Sequence, residues 1–137
     1  MKLIDANLII YAYGKEHPYR EPSGAILDQA LEGTIEANVS AEVLQEVLHY
    51  YHRHGQTYFG LNLTETLLIA LPDAYQIDQE TVRVACSLLT THPRLQTRDA
   101  FHAATVFQHN LEGIISADRA FDTIKGLTRF DPKELAV

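Results

Sequence analysis

Asp5 follows the apolar pair Leu3-Ile4 and precedes Ala6-Asn7 and a second apolar run, Leu8–Tyr11. A buried parallel strand reads as a continuous apolar run, and ligands of open α/β sheets collect beyond the carboxyl ends of such strands. Asp118 follows a similar run, Gly113-Ile114-Ile115-Ser116, and Asp122 comes one turn later. Two further acids belong to helical patterns. At about 100° per residue, Val43, Leu44, Val47, Leu48, Tyr50 and Tyr51 share one arc, and Glu46 falls at its rim beside Tyr50. Downstream, Ala100, Ala103, Ala104, Val106 and Phe107 form an apolar arc with Asp99 inside it. A carboxylate facing a core is costly unless it is paired or metal-bound. Carboxylate oxygens are the ligands that Mg²⁺ and Mn²⁺ prefer.

Each acid also has an ordinary structural reading. Asp5 and Asp118 suit helix caps or turns, Glu46 a solvated rim, Asp99 the first turn of a helix dipole, and Asp122 the polar side of a short turn. The pattern is more specific than its members: two acids end or follow apolar strands, and two sit at or inside helix core faces.

The elements that must position these acids alternate between strand and helix, as in a parallel α/β sheet. Strand one spans about residues 2–5, strand two 34–39, a short strand three 74–77, strand four 113–116 and strand five 127–130. Helices are expected over about 8–13, from a Ser23 cap to 31, from a Ser40 cap to 54, over 57–71, from an Asp78 cap to 91, and from a Thr97 cap to 109. His17–Pro22 reads as a loop because of its two prolines. If strands one and four are neighbours, Asp5 and Asp118 meet at the topological switch point.

A chain of 137 residues suits a single domain, residues 1–137, with one substantial core. No apolar run approaches the roughly 18–20 residues of a membrane span, and no signal-peptide pattern opens the chain. The single cysteine, Cys86, excludes an internal disulfide, and its apolar neighbours suggest buried filler. These features point to a cytoplasmic protein. The net charge of −7 argues against a protein that simply coats nucleic acid. It is compatible with a metal-dependent nuclease, whose carboxylates concentrate in one site.

The segments LIDANLIIYAY, SAEVLQE, RDAFHAA and IISADRAFD resemble, in order, the four acidic motifs of PIN-domain proteins, in particular VapC-type toxins of toxin–antitoxin pairs. The likeness runs from Leu3 to about Pro132. It implies a three-layer α/β/α sandwich with a parallel sheet ordered 3-2-1-4-5. It also implies a Mg²⁺- or Mn²⁺-dependent endoribonuclease acting on RNA, usually a homodimer, inhibited by a small antitoxin. Asp5, Glu46, Asp99 and Asp118 match the family's acidic positions. Asp5, Asp99 and Asp118 would hold metal, and Glu46 would bind a second metal or act through water. Ser116 matches a small hydroxyl residue before the fourth acid. Asn7 and Asp122 match positions that are polar in many relatives. Ser116 and Asn7 would orient a carboxylate, a water or a phosphate. An RNA-processing PIN nuclease without an antitoxin and a non-catalytic PIN-like binding module are the alternatives.

Other chemistries fit less well. An aspartate-nucleophile phosphatase would resemble Asp-x-Asp-x-Thr, but Asn7 and Ile9 occupy the third and fifth positions. No Gly-x-Gly-x-x-Gly follows strand one, and no His-Glu-x-x-His zinc motif is present. His49, His52 and His54 read as a solvated face. Lys15, Arg20, Arg53, Arg94, Arg98 and Arg119 are the candidate phosphate contacts. Tyr50, Tyr51, Tyr58 and Phe59 crowd the break at Gly55, and rings of this kind are enriched in interface centres. The helical pair that carries them is therefore expected to contact an antitoxin or a second copy.

Overall fold

The computed structural model describes residues 1–136. In chain order its elements are β1 (Lys2–Ile4), α1 (Ala6–Ala12), α2 (Arg20–Glu32), β2 (Ala37–Asn38), α3 (Ala41–Arg53), α4 (Thr57–Ala70), α5 (Gln79–Thr91), α6 (Thr97–Gln108), β3 (Gly113–Ile115), a 3₁₀ turn (Arg119–Thr123), β4 (Arg129–Phe130) and α7 (Pro132–Leu135). The sheet is parallel in the order β2-β1-β3-β4.

Strand alternation produces the layers. Successive side chains point to opposite faces, so the apolar pairs Leu3-Ile4 and Ile114-Ile115 each serve two cores. Ile4 and Ile115 join Leu8, Ile9, Ile26, Val43 and Val47 beneath α1, α2 and α3. Leu3 and Ile114 join Ala103, Val106, Phe121 and Ile124 beneath α6 and the 3₁₀ turn. Helices therefore cover both faces, and the fold is the expected three-layer α/β/α sandwich. No described helix is long and apolar enough to cross a membrane.

The sheet has four strands among the described residues, not the five expected. Segment 74–77, expected as strand three, contributes one isolated parallel bridge between Tyr75 and Ser40. Its backbone is held by Tyr75 N donating to Val39 O at 3.0 Å and Ala41 N donating to Tyr75 O at 2.8 Å. Pro72 cannot donate to a ladder, and Asp78 is committed as the N-cap of α5. In the expected numbering the order is thus 2-1-4-5, with a remnant of strand three at the edge.

Several boundaries also differ. α2 starts at Arg20, and Ser23, expected as its cap, is buried inside it. Pro22 lies in the first turn, where a missing N–H breaks no helical bond. Gln96, not Thr97, precedes α6 as its N-cap. Ser40 does cap α3, accepting from Val43 N at 3.1 Å. Beyond the last expected strand, the Asp131 cap and Pro132 begin the short helix α7. Cys86 is exposed and is not core filler. α5 buries Thr81 and Ala85, and Cys86 projects about 100° away from Ala85.

β3 and β4 approach closely at Gly113. A Cβ there would collide with the Thr128 carbonyl and lie 2.9 Å from the Phe130 ring. Gly113 N–H and its neighbours cannot retreat without breaking the ladder, in which Ile114 N donates to Thr128 O at 2.9 Å. Gly113→Ala is expected to destabilise the protein by about 3 kcal/mol or more, read as a lower midpoint in urea unfolding. An unchanged midpoint would show that the β3–β4 edge yields freely.

Candidate active site

The ends of β1 and β3 meet through one hydroxyl. Asp5 occupies the N-cap position of α1, yet its side chain makes no capping bond. Instead Asp5 Oδ2 accepts from Ser116 Oγ at 2.6 Å. Ser116 Oγ accepts in turn from Asn7 Nδ2 at 3.1 Å and from the Asp118 backbone N–H at 3.0 Å. Ser116 is fully buried, so its hydroxyl is committed to tying Asp5, Asn7 and the Asp118 backbone together. Asp118 also caps the 3₁₀ turn, its Oδ1 accepting from Ala120 N at 2.9 Å.

The helical acids enter from both layers. α3 brings Glu46 and α6 brings Asp99. Asp5, Glu46, Asp99 and Asp118 all line one cavity of about 510 Å³, together with Asn7 and the cations Arg53 and Arg98. Sequence reasoning overlooked His102. It lies one turn beyond Asp99, is fully buried, and places Nε2 2.6 Å from Glu46 Oε1 and 3.8 Å from Asp5 Oδ1. Its signal was available: position i+3 from an acid on a core face points to the same side of the helix.

Burial and crowding dominate the electrostatics of the cavity. Burial pushes Asp99 up to about 6, helped by the carboxylates of Asp5 and Asp118. Burial also raises Asp5, against the pull of His102 and the Ser116 hydrogen bond. At His102 burial opposes the cation, but the hydrogen bond to Glu46 and the charges of Asp5, Glu46 and Asp99 outweigh it and raise its pKa. Crowded carboxylates of this kind call for positive charge.

The residues fit a divalent cation. Asp5, Glu46 and His102 each offer a ligand atom within 4.8 Å of the others. Asn7 Oδ1 is buried without a hydrogen-bond partner beside them. An oxygen-rich donor set suits Mg²⁺ or Mn²⁺. Asp122 stands apart: Arg129 holds it through Nε at 2.9 Å and Nη2 at 3.2 Å. Arg129 also donates to the Ser116 carbonyl at 3.0 Å, fixing the backbone behind the site. The expected solvated histidines, His49, His52 and His54, are exposed. Of the candidate phosphate contacts, Arg53 and Arg98 line the cavity, whereas Arg20 pairs with Glu16.

A parallel sheet covered on both faces, with carboxylates gathered at the strand ends, defines the class of α/β domains to which PIN proteins belong. Residues 2–127 match the PIN domain family, and the chain belongs to it. It is 30% identical over 129 residues to the VapC ribonuclease Mb1869c of Mycobacterium bovis, covering 94% of this chain and 98% of that one. It is 35% identical over 104 residues to the ribonuclease VapC23 of Mycobacterium tuberculosis, covering 76% and 82%. Among solved structures, FitAcB from Neisseria gonorrhoeae aligns with a TM-score of 0.76 at 21% identity, over 97% of this chain and 99% of that one. A toxin–antitoxin complex from Klebsiella pneumoniae aligns at 0.69 and 22% identity, over 96% and 98%.

Proposed function

We propose that this chain is a single-domain, metal-dependent endoribonuclease and the toxin of a toxin–antitoxin pair, acting in the cytoplasm. The observation that carries the reading is the convergence of Asp5, Glu46, Asp99 and Asp118 on one cavity, in a chain whose relatives are named ribonucleases. Asp5, Asp99 and Asp118 would hold Mg²⁺ or Mn²⁺, and Glu46 a second ion or a water. A divalent cation supplies Lewis acidity at a phosphate and lowers the pKa of water. Ser116 holds Asp5 in place for this role, and Asn7 holds Ser116 by donating to its hydroxyl. Arg53 and Arg98 are placed to bind the phosphates of RNA.

Purified protein is expected to cleave RNA with Mg²⁺ or Mn²⁺ and to stop in EDTA. Full cleavage in EDTA would overturn the metal mechanism. The partners proposed are RNA, a small antitoxin and a second copy of the chain. α4 supports a protein interface, because its Tyr58 is 85% exposed and its Ile69 81%. Tyr51 is buried against Phe59, with ring centroids 4.9 Å apart, so it serves the core. Light scattering across a concentration series should report a dimer, and a monomer at high micromolar concentration would rule it out.

A further inference from the structure

A second cleft of about 750 Å³ opens beside the carboxylate cavity, and Ile10, Tyr50 and His54 line both. Its walls are aromatic. On one side the rings of Tyr11 and His17 stack with centroids 4.5 Å apart and an interplanar angle of 21°. On the other Tyr50 and His54 lie 4.2 Å apart at 30°. In each pair the histidine ring is hydrogen-bonded to backbone. His54 Nδ1 bonds the Tyr50 carbonyl at 2.7 Å, and His17 Nδ1 accepts from Tyr19 N at 3.1 Å. A tyrosine ring already packed against such a neighbour loses less entropy when a ligand stacks on it.

Charge and composition indicate the occupant. Lys15 lines the cleft and Arg53 the adjoining cavity, and neither has a carboxylate partner among the described residues. The aliphatic surface suited to a protein partner lies elsewhere, on the exposed Leu61, Leu68 and Ile69 of α4. Cations beside aromatic rings, continuous with a phosphate-cleaving centre, match an unpaired nucleotide. We propose that the Tyr11–Tyr50 cleft is a nucleobase subsite, which takes an unstacked base of single-stranded RNA next to the phosphate at the carboxylates. The proposal rests on the nuclease reading and adds where on this chain the base beside the cleaved phosphate is held.

The test compares fluorescently labelled oligoadenylate with an abasic ribose-phosphate chain of the same length, in an Asp99→Asn background that removes cleavage. The parent should bind oligoadenylate at least about tenfold more tightly than the abasic chain. Tyr11 lines the cleft and not the carboxylate cavity, so Tyr11→Leu should erase that preference while leaving abasic binding unchanged. Tyr11→Phe should retain it. Tyr50→Leu should also lower the preference and gives a second reading if Tyr11→Leu fails to fold. RNA cleavage by the native chain without any preference for bases would overturn this subsite alone. Absence of both RNA cleavage and RNA binding would remove the nuclease reading and the subsite with it. Unchanged oligoadenylate affinity in both Leu variants would overturn the proposal.

Discussion

Asp99→Asn is expected to reduce RNA cleavage by about 10²–10³-fold or more and, without divalent ions near neutral pH, to make the protein more stable. The two effects have one cause. Asp99 is 7% exposed, and burial with its neighbouring carboxylates raises its pKa from 3.8 to about 6. A folded-state pKa above the unfolded value means that the folded protein binds the extra proton between the two. Stability is therefore lost as pH rises through that window. Asp5 and His102 are also raised and act with the same sign. Metal-free protein should be more stable near pH 5 than near pH 7.5, and Asp99→Asn should flatten that slope. The gain near pH 7.5 is expected to be on the order of 1 kcal/mol, or roughly 2–8 °C in Tm. Thermal melts in EDTA check it. An unchanged or lower Tm in the variant would show that Asp99 is matched by its surroundings without metal.

His102→Leu is expected to destabilise the protein by about 2–4 kcal/mol. The ring is fully buried between α3 and α6, with Nε2 2.6 Å from Glu46 Oε1. Leucine fills similar space, so the lost donor dominates over a cavity. Glu46, whose side chain is 18% exposed, would then face Asp5 without the intervening imidazole. Urea unfolding should show a lower midpoint with an unchanged slope. Adding Glu46→Leu should recover most of the loss, because the stranded carboxylate disappears with its partner. Additive losses would mean that His102 acts through packing alone.

The strand-end acids were legible because an apolar run that stops at Asp5 or Ser116 advertises a buried strand and its carboxyl end. Asp99 was legible because a charge on a core arc breaks the helical pattern. His102 escaped notice because a buried histidine in an apolar helix reads as core, and its partner Glu46 lies 56 residues away. Strand three was overestimated because local composition cannot report that segment 74–77 meets its neighbour at a single bridge, Tyr75 to Ser40. Pro22 was read as a breaker because its effect depends on position within a turn. Cys86 was misplaced because apolar neighbours in sequence lie on other faces of α5. The role of Asp122 depended on Arg129, whose grip on it is a tertiary contact.

The Ser116 hydroxyl also sets when during synthesis the site can first exist. It joins Asp5 to a residue 111 positions later, and contacts of such long separation form only after the intervening chain can close on itself. A nascent chain that carries Asp5, Glu46 and Asp99 but not yet Ser116 and Asp118 has three of the four carboxylates and lacks the hydroxyl that holds Asp5. For a proposed ribonuclease made beside the RNA of a translating ribosome, this delay keeps the growing polypeptide inert until most of it has been made.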